Sequence, residues 1–161
     1  MSVRMLVVSD THYKIDNLYF AVDEAGEIDG LIHLGDIEDY RSEVEEMVDC
    51  PCYIVPGNND YFSGMSRERI LEIGDHRILL THGHRYQPYF SRTRLMEAAE
   101  GEGCDIVLYG HTHVPMVEEE GGITAANPGS LTWPRQRNGL PSYMIMEIRD
   151  DNSIGFEIRY L

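Results

Sequence analysis

An aspartate and a histidine two residues apart, Asp10 and His12, close the apolar run Met5–Leu6–Val7–Val8. A run of that length reads as a buried strand. In extended chain, residues i and i+2 point to the same side, so a carboxylate and an imidazole at the strand's end can grip one metal ion. The arrangement recurs. Asp36 follows Gly30–Leu34, Asn58 follows Pro51–Pro56, His82 follows Ile78–Thr81, and His111 and His113 follow Asp105–Tyr109. Ligands of open α/β sheets collect beyond the carboxyl ends of the strands. Five strand ends therefore offer two carboxylates, four imidazoles and one amide oxygen to a common rim. That is more than one metal ion needs and about right for two. Nitrogen and oxygen donors without thiolate suit Mn, Fe, Zn, Ni or Co rather than Ca or a sulfur-bound centre.

The elements that must position these groups follow from periodicity and turn chemistry. Asp16 to about Ala25 reads as an amphipathic helix with Asp16 or Asn17 near its N-cap. Ser42-Glu43-Val44-Glu45 fits a capping box and predicts a short helix through about Val48. With the strands between them, the first half is β-α-β-α-β, a parallel sheet with right-handed crossovers. The second half opens with a hairpin, Arg69–Ile73 and Ile78–Thr81 around Gly74-Asp75. A helix from Ser91 to about Glu100 and the strand Asp105–Tyr109 follow. Pro115–Glu119, Ile123–Ala126, Tyr143–Ile148 and Ile154–Tyr160 read as strands, with turns at Gly121-Gly122 and Asp150-Asp151-Asn152. The expectation is two packed sheets with helices outside, in one domain spanning residues 1–161.

The ordered set D-x-H, G-D, G-N-x-D, H and G-H-x-H resembles the calcineurin-like metallophosphoesterase superfamily. The His82-Gly83-His84 and Asn127-Pro128-Gly129-Ser130 forms are similar to its compact bacterial and archaeal phosphodiesterase branch. The resemblance implies an α/β fold, a four-layer αββα sandwich of two mixed sheets flanked by helices. It implies a first divalent metal held by Asp10, His12, Asp36 and His113. Asp36 would bridge to a second metal completed by Asn58, His82 and His111. Manganese is the foremost expectation, with Ni, Co, Fe, Zn or Mg as alternatives. The implied reaction is hydrolysis of a small phosphate ester, a diester rather than a monoester, by a hydroxide held between the two metals. Asp36, Asn58, Asn59, Asp60 and His84 form the expected catalytic set, with Asp60 orienting the Asn58 loop. The wider family has histidine where this chain has Asn59. An amide cannot act as a general acid near neutral pH, so activated esters such as aryl diesters are the expected substrates. The same fold also implies a rival, a non-catalytic scaffold like the retromer subunit, but a scaffold tends to lose its ligands and all seven positions are intact here.

Composition narrows the partners. The chain carries 28 acidic against 13 basic residues, a net charge of −15, and Lys14 is its only lysine. Such a surface repels phosphate backbones, so no duplex nucleic acid partner is expected. It also fits a high-salt setting, where screening damps carboxylate repulsion. No apolar run reaches the ~20 residues of a membrane span. Met1-Ser2-Val3-Arg4 leads directly into a strand, leaving no room for a signal peptide. Cys50, Cys52 and Cys104 read as reduced thiols of a cytoplasmic protein. A homo-oligomer is compatible with the sequence. His33, inside a strand, reads as a hydrogen-bonded core residue, His76 as a solvated turn residue, and Arg135 and Arg137 as surface arginines.

Overall fold

The apolar runs become strands because both of their faces find cover. A computed structural model describes residues 2–61 and 64–161; Met1, Phe62 and Ser63 lie outside it, and with Met1 the start of the N-terminal stretch read above. In chain order the elements are β1 (Val3–Val8), α1 (Asp16–Ala25), β2 (Gly30–His33), α2 (Arg41–Glu46), β3 (Cys52–Ile54), β4 (Glu68–Ile73), β5 (His76–Thr81), α3 (Thr93–Gly101), β6 (Ile106–Leu108), β7 (Met116–Glu120), β8 (Ile123–Asn127), β9 (Ser142–Ile148) and β10 (Ile154–Tyr160). One five-stranded sheet has the order β10-β9-β1-β2-β3 and the other β4-β5-β6-β8-β7. Both are mixed. β1–β2–β3 and β5–β6–β8 run parallel, and the remaining strands join antiparallel.

Side-chain alternation divides the core into three layers of contact. Met5 and Val7 of β1 meet Ile78, Leu80, Ile106 and Leu108 of the other sheet in the central layer. Leu6 and Val8 turn the other way, against Leu18, Ala21 and Ala25 of α1 and Val44 of α2. On the far side, Leu79, Val107 and Tyr109 pack on Leu95, Met96 and Ala99 of α3. Helices, sheet, sheet, helix is the four-layer αββα sandwich that the resemblance implied. None of the described helices is long and apolar enough to cross a membrane.

Helix boundaries differ from the sequence expectation in an instructive way. Among the described residues, no helix has a side-chain cap hydrogen bond. Ser42 sits inside α2, because a 3-10 turn at Glu38–Tyr40 feeds directly into it. α1 is preceded by Ile15 rather than capped by Asp16 or Asn17, and α3 begins at Thr93 rather than Ser91. A cap contributes about 1 kcal/mol, whereas burying one leucine contributes about 1.5–3 kcal/mol. Packing of Leu18 and Leu95, both fully buried, therefore overrides cap chemistry. His76 is not solvated. It opens β5, and its ring reaches Asp105 Oδ2 at 2.6 Å and the carbonyl of Asn152 at 2.7 Å.

Candidate metal centre

The segments after β1, β2 and β6 leave extended chain at once. Asp10 (φ 55°), His12 (φ 50°), Asp36 (φ 56°), His111 (φ 69°) and His113 (φ 60°) are all left-handed. Asp10 and His12 thus do not converge by sharing one side of an extended strand, as the spacing suggested; they converge because the backbone curls at each. That conformation costs about 1–3 kcal/mol per residue, and Asp and His tolerate it better than most. Specific bonds hold it. Asp10 N–H donates to the Gly35 carbonyl at 2.9 Å and His12 N–H to the Asp36 carbonyl at 2.7 Å. The Ser130 hydroxyl donates to the Asp10 carbonyl at 2.8 Å, and Asn127 Nδ2 to the Gly110 carbonyl at 3.1 Å. The Asn127–Ser130 loop, to which the sequence assigned no chemistry, fastens both turns from behind. Gly110 is required where the sheets meet, since a Cβ there would lie 2.7 Å from Asp10 Oδ2.

The curled turns bring the predicted ligands together. Asp10 Oδ2 accepts from the Ser9 hydroxyl at 2.6 Å and the His111 N–H at 3.0 Å. Asp10 Oδ1 is buried and accepts no hydrogen bond. Three imidazole Nε2 atoms face it, from His113 at 3.2 Å, His82 at 3.8 Å and His12 at 3.9 Å. Asp36 Oδ2 lies 3.5 Å from His82 Nε2 and 3.8 Å from His12 Nε2. Asn58 Oδ1 is 3.0 Å from His82 Nε2 and 3.2 Å from His111 Nδ1. Two overlapping sets, Asp10–His12–His113 and Asp10–Asp36–His82, each gather their donor atoms within 4.8 Å of one another.

Hydrogen bonds behind the rings decide which nitrogen faces the centre. His82 Nδ1 donates to the Leu34 carbonyl at 2.7 Å and His113 Nδ1 to the Trp133 carbonyl at 2.8 Å. His12 Nδ1 donates to Glu38 Oε1 at 3.2 Å. A carbonyl can only accept, so His82 and His113 carry a proton on Nδ1 and turn Nε2 inward. This is how metal-ligating histidines are oriented. Lone pairs crowd together as a result: His12 Nε2 and His113 Nε2 are 3.3 Å apart. Such a set is compatible only with shared protons or cations between the donors. The donor types, the orphaned Asp10 oxygen and the anchored rings all fit divalent metal.

The electrostatics have the same cause. Burial pushes the Asp10 carboxyl up, but the charge of His82 and the nearness of the His113 ring outweigh it and hold it below the usual carboxylate range. Asp36 is likewise lowered: burial opposes ionisation, and His82 and Asn59 overcome it. Burial pushes the His82 imidazole down, yet the charge of Asp10 and the bond to Asp36 raise it to about 9. His111 is pushed down to about 4 by burial and by the charge of His82. Two ionised, buried carboxylates demand a positive partner. A proton on His82 meets that demand, and metal binding displaces such protons.

The remaining predicted residues lie around this cluster. Asn59 does not point its amide outward; its N–H donates to Asp36 Oδ1 at 2.9 Å and its Nδ2 to Asp36 Oδ2 at 3.0 Å. Asp60 accepts from the N–H groups of Gly57 at 2.9 Å, Glu38 at 2.7 Å and Ile37 at 3.2 Å, pinning the Asn58 loop to the Asp36 loop. The His84 ring is 5.5 Å from that of His82, and its buried Nδ1 has no hydrogen-bond partner. Four more neighbours complete the surroundings, of which Glu38 and Trp133 carried no signal in the sequence. Glu38 orients His12, and Trp133 stacks on His12 at 4.4 Å. Tyr89 donates to the His111 carbonyl at 3.2 Å, and Arg135 donates to the Tyr89 hydroxyl at 2.6 Å. With the rim, Trp133, Tyr89 and Arg135 line a cavity of about 220 Å³. Arg135, read as a surface arginine, lines the candidate site; the scarcity of basic residues in so acidic a chain was the signal for it.

Known proteins resemble this chain. Residues 3–151 match the calcineurin-like phosphoesterase superfamily domain. A probable metallophosphoesterase of Bacillus subtilis is 32% identical over 151 residues, spanning 92% of this chain and 86% of that protein. A phosphodiesterase of Methanocaldococcus jannaschii is 28% identical over 159 residues, spanning 88% of this chain and 90% of that protein. Among solved structures, Vps29 of Entamoeba histolytica complexed with zinc matches at a TM-score of 0.80 and 26% identity, covering 98% of this chain and 99% of that one.

Proposed function

This chain belongs to the calcineurin-like phosphoesterase superfamily, and on that premise we propose that it is a dinuclear, metal-dependent phosphodiesterase of the cytoplasm. The observation that carries this reading is Asp10 Oδ1, buried, without a hydrogen bond, and faced by three Nε2 atoms. Asp10, His12, Asp36 and His113 would hold one ion, manganese by preference. Asp36, Asn58, His82 and His111 would hold the other. When bound, the two ions supply an acidified water as nucleophile and positive charge against the phosphate oxygens.

The chain's own groups do the rest. Asn59 grips both oxygens of Asp36 and so fixes the carboxylate that faces both ligand sets. Trp133 covers the His12 ring and keeps water off that side. Arg135, steadied by Tyr89, offers a cation to the phosphate at the cavity mouth. With the Asn59 amide committed to Asp36, no acid stands at that position for the leaving group, which favours aryl over alkyl diesters. The substrate is a small phosphate ester; the net charge of −15 works against duplex nucleic acid.

The test is protein stripped of metal, reloaded in turn with Mn, Ni, Co, Zn, Fe or Mg, and assayed on mono- and diesters. Turnover of bis(p-nitrophenyl) phosphate that appears with metal and exceeds monoester turnover is the expected result. The likeness to Vps29 supports one rival, an interaction scaffold of the same fold. Full occupancy by metal with no turnover of any ester, across a range of salt, is the outcome that favours it.

A further inference from the structure

The rim divides two unlike cavities, and Asn58 lines both. The one over the metal ligands is walled by Trp133 and Tyr89. The second, about 380 Å³, shares Asn58 with it and is walled by Arg67, Arg85, His84 and Met65. Two arginines on one wall are notable in a chain with 28 acidic and 13 basic residues. Arg77, Arg92 and Arg159 are each neutralised by a carboxylate, Glu72, Glu118 and Glu157 respectively. Among the described residues, Arg67 and Arg85 enter no ion pair. Asp60 also borders this cavity, but its oxygens are taken up by three backbone N–H groups. Glu68, close by, accepts from the Tyr86 hydroxyl at 2.8 Å. His84, with its unpartnered Nδ1, adds a further polar group to the wall.

Free guanidinium groups present planar, paired donors that match phosphate oxygens. We propose that this second cavity is an anion subsite for a second phosphate of the substrate. The preferred substrate class is then a phosphodiester that carries an additional terminal phosphate, as a 3′-phosphorylated nucleotide ester does. This rests on the reading of the rim as a phosphoesterase centre. The scissile phosphate occupies the cavity over the ligands, and its terminal phosphate reaches past Asn58 to Arg67 and Arg85. The strongly negative surface then makes the site selective for small anions that fit both cavities over extended ones.

Calorimetry on the manganese-loaded protein tests the subsite without turnover. Thymidine 3′,5′-bisphosphate should bind at least about tenfold more tightly than thymidine 5′-monophosphate, the size expected for one well-made charged contact. In R67A/R85A that advantage should fall below about twofold, and R67K/R85K should recover part of it. Both arginines are exposed, so the variants should melt like the parent. Equal affinities in the parent, or an advantage that survives R67A/R85A, overturn the proposal. In parallel, the kcat/KM ratio for thymidine 3′-phosphate 5′-(p-nitrophenyl phosphate) over its 3′-hydroxyl counterpart should drop in the double alanine variant and stay high in the parent. Metal-dependent turnover of neither ester would refute the catalytic reading of the rim, while the calorimetric ratio reports on the subsite separately.

Discussion

His76 and His82 bracket the same strand, β5, yet their rings are used in opposite ways. At the start of the strand, His76 has an acceptor at each nitrogen, Asp105 Oδ2 at 2.6 Å and the Asn152 carbonyl at 2.7 Å. Both nitrogens must donate, so the ring is closed off as a cation that ties the β9–β10 turn to the other sheet. At the end of the strand, His82 spends only Nδ1, on the Leu34 carbonyl. Its Nε2 faces Asp10, Asp36 and Asn58. His33 is a third case. Nδ1 accepts from the Gly35 N–H at 3.1 Å, Nε2 meets the Thr11 hydroxyl at 2.9 Å, and burial drives the ring down to about 4, so it is neutral. The lesson is that what a histidine's two nitrogens touch, rather than burial, separates a ligand from a structural residue. His33 and His82 are both buried, and only one has a nitrogen left to give.

Removing a group from the open end should have the largest effect. Asp36→Asn and His82→Ala should each lower metal-dependent diester turnover at least about 10⁴-fold, with native circular dichroism. Turnover within tenfold of the parent in both would remove them from the site. Adding a histidine to the open end sharpens the contrast. Asn59→His should raise alkyl-diester turnover relative to aryl-diester turnover, up to about 10²-fold. Comparable aryl and alkyl rates in the parent would show that no acid is missing. The groups behind the rings come next. Glu38→Gln loosens the anchor of His12, and Asp60→Asn loosens the Asn58 loop. Each should weaken manganese binding about 10–100-fold, read by metal titration.

Much of the open end was legible in the sequence, for a physical reason. A ligand at a strand end needs an apolar strand before it, and Met5–Val8, Gly30–Leu34 and Ile78–Thr81 announce themselves by composition. The layered fold was legible for the same reason, since strands buried on both faces require helices outside two sheets. The backbone that aims the ligands was not. Five left-handed residues leave no mark in a pattern of apolar and polar positions, and they reverse the extended-chain argument for Asp10 and His12. Glu38 and Trp133 were hidden because their roles depend on folding distant loops over the rim. His76 was misread because a polar turn looks solvated until Asn152, from the far end of the chain, closes over it.

The smallest effect belongs to the closed end, and it is one of stability. A neutral imidazole has one N–H and cannot donate to both Asp105 and Asn152, so the pair of bonds exists in full only in the protonated ring. Burial lowers its affinity for a proton, but the bonds to Asp105 and Asn152 outweigh this and raise its pKa above the ordinary value. A raised folded-state pKa stabilises the fold fully below the unfolded value of about 6.5, and that contribution fades as pH rises through the folded value. Asp105 is 42% exposed, so the bond is worth about 1 kcal/mol rather than the larger figure of a buried pair. Denaturant midpoints of the parent and His76→Gln, compared at several pH values, should differ most below pH 6.5 and converge as the ring deprotonates. Metal-dependent turnover should be unchanged, because His76 lies at the opposite end of β5 from the ligands. A stability difference independent of pH would mean the ring is held as a neutral donor, and the contrast between the two ends would then rest on packing alone.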